Sequence, residues 1–158
     1  MQAYAMSDNL EENYKLMVQT VKAFIDGESN VIANLSNTSA IINEYVKDIN
    51  WAGFYLMENG ELVLGPFQGK PACIRIPIGK GVCGTTAEKA ETIVVEDVHQ
   101  FPGHIACDAA SNSEIVIPMM KDGAVYGVLD IDSPEFGRFS DLEKKYLEEV
   151  VAILEASL

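Results

Sequence analysis

The 158 residues suffice for one domain with a sizeable single core, and 48% hydrophobic with 22% charged residues is the balance of a soluble globular chain. Eleven Lys and Arg against 24 Asp and Glu give a formal net charge of −13, which argues against nucleic acid and anionic membrane as partners, because phosphate binding needs clustered cations. No run is long and apolar enough to span a bilayer, and the N-terminus lacks a basic region followed by an apolar one, so a cytoplasmic location is expected.

Asp8-Asn9-Leu10-Glu11 has the form of a capping box. Leu10, Tyr14, Met17, Val18, Val21 and Phe24 follow it at helical spacing, and Asp26-Gly27 ends the helix. The opening MQAYAM lies ahead of that cap and is expected to be floppy. Val31, Ile32, Leu35, Ile41, Ile42 and Tyr45 predict a second helix. From Asn50 the pattern changes to a strand (NWAGFYLM), a turn at Glu58-Asn59-Gly60-Glu61 and a return strand (ELVLGPF). ACIRIPI reads as a third strand, VCGTTAEKA as a short helix, and TIVVE as a further strand. EIVIPMM, Lys121-Asp122-Gly123 and AVYGVLDID predict a second hairpin. Ser140-Asp141-Leu142-Glu143 is another capping box, opening a final amphipathic helix. The whole, residues 1–158, is expected to be a single α+β domain with helices at both ends of a mainly antiparallel sheet. Residues 96–113 form a polar loop of a length that is usually functional.

The chemistry gathers in the middle of the chain. In a reducing compartment, three cysteines are better read as catalytic or sensing thiols than as structural disulfides. Cys73, Cys83 and Cys107 are spaced C-x9-C-x23-C, which is not a zinc pattern, so no metal is expected. Cys73 in an apolar strand can also serve simply as a small buried hydrophobe. Cys107 lies on a glycine- and proline-marked loop beside His104 and Asp108, where a substrate can reach it. Asp130 and Asp132 are two apart in a strand and share a face, while Leu129 and Ile131 share the other. Glu114 opens the partner strand of the same hairpin and can approach them. Either each acid is solvated or caps a turn, or the acids converge. Converging anions repel, so at least one then stays protonated near neutrality and can donate a proton. Trp51 and Tyr55 share a strand face, as core packing or as an aromatic wall for a small ligand.

Three long segments, GPFQGKPACIRIPIGKGVCGT, FPGHIACDAASNSEIVIPM and GVLDIDSPEFGRFSDLEK, resemble the free methionine-(R)-sulfoxide reductases, single-domain members of the GAF fold. The likeness runs from the NWAGFYL strand to the last helix, and every cysteine and acid of the family pattern has a counterpart. The resemblance implies a GAF-like central antiparallel sheet flanked by N- and C-terminal helices, and an enzyme that reduces free methionine sulfoxide without a cofactor. It makes Cys107 the thiolate that attacks the sulfoxide sulfur, and Glu114 or Asp132 the group that binds and protonates the oxygen. Asp130 would help hold the substrate ammonium, and Trp51 and Tyr55 would shelter the methyl end. Cys83 or Cys73 would condense with the resulting sulfenic acid, with Cys83 favoured as the direct partner and Cys73 passing oxidation to the surface. Thioredoxin is the implied reductant, and a homodimer is plausible for the family. The main alternative is a GAF module that binds a small ligand and signals.

Overall fold

Asn9 starts the first helix by accepting the Glu12 amide on its side-chain oxygen at 3.0 Å. The cap thus sits one residue beyond the one expected, since an asparagine carbonyl satisfies an orphan N–H as well as an aspartate does. This computed structural model describes residues 9–104 and 109–158, so the opening MQAYAM and Cys107 lie outside the described residues. Helix α1 (Leu10–Ile25) ends at Asp26-Gly27, where Gly27 takes a φ of +75°. Helix α2 (Val31–Tyr45) is capped by Asn30.

Two hairpins form the centre of the sheet. β1 (Trp51–Glu58) returns as β2 (Glu61–Gly69) through Asn59-Gly60, and β5 (Ser113–Lys121) returns as β6 (Ala124–Ser133) through Asp122-Gly123. All four turn residues have positive φ, the geometry that matches the twist of an antiparallel pair. With β3 (Arg75–Pro77) and β4 (Ile93–Val95) at the edges, the order is β3-β2-β1-β6-β5-β4, antiparallel throughout. β3 is shorter than the strand expected over ACIRIPI, and Cys73 lies outside it. The carbonyls of Lys70 and Cys73 instead accept from the Trp51 indole (3.1 Å) and the Tyr55 hydroxyl (2.9 Å). These side-chain bonds tie the segment ahead of β3 to β1, while the Ile74 carbonyl still accepts from the Leu64 amide of β2 at 2.8 Å.

The alternation of the strands gives the sheet two different faces. Phe54, Ile115, Leu129 and Ile131 point to α1, α2 and the final helix α4 (Asp141–Ser157), where they join Met17, Ile42 and Leu147 in a continuous apolar core. Burial of such side chains contributes about 1.5–3 kcal/mol each and makes this face the main source of stability. α4 opens with the expected capping box between Ser140 and Glu143. Beside it, Arg138 contacts Glu143 (3.4 Å) and the Lys47 carbonyl (2.9 Å), while Tyr14 donates to Glu143 at 2.8 Å. This knot fastens α1 and α4 to the link between α2 and β1. Among the described residues, no helix is long and apolar enough to cross a membrane.

The opposite face carries Trp51, Tyr55, Val116 and Val128 beneath the short helix α3 (Gly81–Lys89). The long loop after β4 is tied at its roots. The Val98 amide donates to the Asn112 carbonyl at 3.0 Å, and Asn112 in turn bonds Ser133 and Pro134 at the end of β6.

Candidate active site

Register decides which residues meet. Trp51 on β1 lies opposite Asp132 on β6, and Asp132 lies opposite Glu114 on β5, so these three form one row across the sheet. The adjacent row on the same face holds Gly53, Asp130 and Val116. The two-residue period therefore brings the three predicted acids together under α3, while Leu129 and Ile131 serve the core behind them. Gly53 is required by the aromatic packing: a Cβ there would lie 2.3 Å from the Phe67 Cβ. Trp51 is consequently sandwiched between Phe67 (ring centroids 5.1 Å) and Tyr55 (5.8 Å).

α3 supplies the thiol. It can approach closely because position 84 is glycine, where a Cβ would lie 2.4 Å from the Pro77 carbonyl oxygen. This seats the Cys83 Sγ 4.0 Å from a Glu114 carboxyl oxygen, toward which it donates. Trp51, Tyr55, Cys83, Glu114, Asp130 and Asp132 line one small cavity, together with Lys80, His104 and Ser111. Cys83 is a free buried thiol, whereas Cys73, half-buried at the cavity's edge, is disulfide-bonded. Six of the eight predicted site residues thus share the cavity, Cys73 is joined to it through its carbonyl, and Cys107 falls outside the described residues. Ser111 and Phe67 are not singled out by the sequence, whereas His104, noted there as a neighbour of Cys107, lines the cavity. The only signal for Phe67 is its register opposite Gly53.

Burial and mutual repulsion govern the acids. Burial raises Glu114 well above the ordinary carboxylate range, and the charges of Asp130 and Asp132 raise it further. Burial also raises Asp130, but hydrogen bonds from Glu114, Cys83 and Asp132 oppose that rise. The hydrogen bonds among the acids thus push Glu114 up and hold Asp130 down, so Glu114 is the acid of this pair that its partners favour in the protonated form. Burial and then the nearby carboxylates push the Cys83 thiol up, so it stays protonated. One Asp130 oxygen, Oδ1, is buried with no hydrogen-bond partner. The cavity therefore presents an aromatic wall, a buried carboxyl that its surroundings favour in the protonated form, and an Asp130 oxygen with unused acceptor capacity. It is built to receive a small ligand carrying both an acceptor oxygen and a cationic group.

The GAF domain model matches residues 33–158. The chain is 54% identical over 150 residues to the free methionine-R-sulfoxide reductase of Escherichia coli (strain K12), spanning 95% of this chain and 91% of that protein. It is 44% identical over 162 residues to the free methionine-R-sulfoxide reductase of Saccharomyces cerevisiae, spanning 98% and 90%. The X-ray structure of the Neisseria meningitidis free methionine-R-sulfoxide reductase in complex with its substrate superposes with a TM-score of 0.95 at 41% identity, covering 99% of this chain and 95% of that one. The chain belongs to the GAF domain family and, within it, to the free methionine-R-sulfoxide reductases.

Proposed function

We propose that this protein reduces free L-methionine-(R)-sulfoxide to methionine, using Cys107 as nucleophile and Glu114 as proton donor. The observation that supports the reading most is the pair of buried acids, Glu114, pushed up by burial and its carboxylate neighbours, and Asp130, whose Oδ1 has no hydrogen-bond partner. The two ends of the substrate match the two roles. Glu114 donates to the sulfoxide oxygen, while Asp130, with Asp132 beside it, accepts the ammonium. Trp51 and Tyr55 enclose the methyl end and exclude water.

The Cys107 thiolate attacks the sulfoxide sulfur as Glu114 protonates the oxygen. The adduct has a Cys107–methionine S–S bond and a hydroxyl on the methionine sulfur. The hydroxyl then passes to the Cys107 sulfur, so that this S–S bond and the methionine S–O bond break and a Cys107 S–O bond forms. Methionine leaves with the sulfur electron pair, and Cys107 is left as a sulfenic acid. A second thiol displaces that oxygen as water and forms a disulfide. We assign this resolving role to Cys73 instead of Cys83, reversing the preference drawn from the sequence. Support comes from Cys73 being disulfide-bonded at the cavity's edge, while Cys83 is a buried thiol held protonated by burial and the acids. Thioredoxin then reduces the disulfide by thiol exchange, giving net conversion of sulfoxide and dithiol to methionine, disulfide and water. The substrate's own ammonium offsets the local carboxylate charge, which favours thiolate formation only once substrate is bound. Function in the cytoplasm, and as a homodimer, is part of the same proposal.

NADPH consumption with thioredoxin and thioredoxin reductase tests it, with free methionine-R-sulfoxide, the S epimer and a peptide-bound sulfoxide supplied in parallel. The expected result is turnover of the free R form, abolished by Cys107→Ser. No turnover of any form by fully reduced protein would overturn the reading in favour of a ligand-binding module.

A further inference from the structure

We propose that the protein also binds one thiophilic divalent cation of the zinc class, held by Cys83, Glu114 and Asp130. One ligand atom from each of these residues, the Cys83 sulfur and a carboxyl oxygen of Glu114 and of Asp130, lies within 4.8 Å of the others, and all three residues are buried. Ligands on one tetrahedral ion, with bonds of about 2.0–2.3 Å, stand roughly 3.3–3.8 Å apart. The cluster thus needs only a small side-chain contraction to close on an ion. The Asp130 Oδ1, on a residue only 5% exposed and without a hydrogen-bond partner, supplies an acceptor already stripped of water.

The surroundings favour a cation. Asp132 adds another carboxyl to the same cavity, and Lys80 is the only Lys or Arg among its described lining residues. Lys80 is itself exposed, so it does little to neutralise the floor of the cavity. Water can fill the fourth position. A thiolate in the set selects a zinc-like ion over magnesium or calcium, which prefer six or more oxygen ligands. The ion replaces the protons carried by the thiol and by Glu114, with no oxidation or reduction. The three ligands come from α3, β5 and β6, so chain spacing gives no hint of the site. If the cavity also holds the sulfoxide, a clause that rests on the proposed function, the ion inhibits reversibly by occupying its place.

Cobalt(II) and zinc(II) titrations of the Cys73→Ser/Cys107→Ser protein test the site with the other two thiols removed. We expect one ion per chain and a near-ultraviolet thiolate-to-cobalt absorption that disappears when Cys83→Ser is added. Asp130→Asn and Glu114→Gln should each weaken zinc binding, read against a chromophoric chelator, by more than about tenfold, the loss that even outer partners of a metal commonly cause. These two variants keep the test valid should Cys83→Ser fail to fold. Absence of the cobalt absorption from the double variant, its survival after Cys83→Ser, or unchanged zinc affinity in both carboxyl variants would overturn the site. Added free methionine sulfoxide should weaken cobalt binding. If it does not while the absorption behaves as expected, the shared cavity fails and the metal site stands.

Discussion

Glu114 and Glu143 are both buried glutamates, on opposite sides of the sheet, and their surroundings shift their pKa values in opposite directions. Burial pushes Glu143 up, but hydrogen bonds from Ser140 and Tyr14 and the charge of Arg138 outweigh it and hold the group below its ordinary range. Burial pushes Glu114 up too, and its nearest charged neighbours are carboxylates, which raise it further. Exposure is similar at the two positions, 7% for Glu114 and 3% for Glu143. The partners, and not burial alone, decide whether a buried acid fastens the fold or stores a proton for chemistry.

The comparison breaks most sharply by mutation. Glu114→Gln should lower turnover of free methionine-R-sulfoxide by about 10²–10⁴, the usual contribution of a positioned acid, because an amide cannot release a proton to the leaving oxygen. Its thermal unfolding at neutral pH should be no earlier than that of the parent, since a neutral amide suits this site. Arg138→Met should do the reverse. It leaves Glu143 buried without its cation and is expected to cost about 3 kcal/mol in urea unfolding, with catalysis intact at 25 °C.

Opposite pH dependences sharpen the contrast. Glu143 has a folded pKa below the ordinary 4.5, so its stabilisation is present above that value and is lost as pH falls through the folded pKa. Glu114 has a folded pKa raised above 4.5, so folding takes up its proton and stability declines as pH rises from there. Unfolding measured from pH 3 to pH 9 should show Glu114→Gln gaining relative stability with rising pH. Over the same range Arg138→Met should lose it. Activity should likewise fall as Glu114 deprotonates at high pH, whichever sulfoxide concentration is used.

Smaller effects mark the packing that holds the thiols in place. Gly84→Ala drives a methyl toward the Pro77 carbonyl and should cost about 1–3 kcal/mol while lifting Cys83 away from Glu114. Tyr55→Phe removes one hydrogen bond, to the Cys73 carbonyl, and should cost about 1 kcal/mol. Its functional signature should be slower disulfide formation after a single turnover, measured by loss of free thiol in rapid quench.

Much of this architecture is local and therefore legible in the chain. Asn59-Gly60 and Asp122-Gly123 set both central hairpins, and Ser140 with Glu143 sets the last helix, because turns and caps depend on neighbours in sequence. The two-residue period also puts Asp130 and Asp132 on one face without any knowledge of partners. Tertiary contacts were not legible. β3 starts at Arg75 and not at Ala72, and Trp51 and Tyr55 hold carbonyls of the preceding segment from 19 and 18 positions away. The approach of Cys83 to Glu114 spans 31 positions and depends on how closely α3 packs. The sequence also left Glu114 and Asp132 equal as donors. The hydrogen bonding with Asp132 as well as Asp130 pushes Glu114 up, which supports Glu114 as the proposed donor and follows only from the three-dimensional arrangement.

The central claim is that Glu114 carries a proton near neutrality in the reduced protein. Infrared difference spectroscopy between the parent and Glu114→Gln at pH 7 tests it directly, through the carbonyl stretch of a protonated carboxyl. The account predicts that this band is present in the parent, shifts on deuteration and vanishes in the variant. A parent spectrum with no such band, or a band that survives Glu114→Gln, would contradict it.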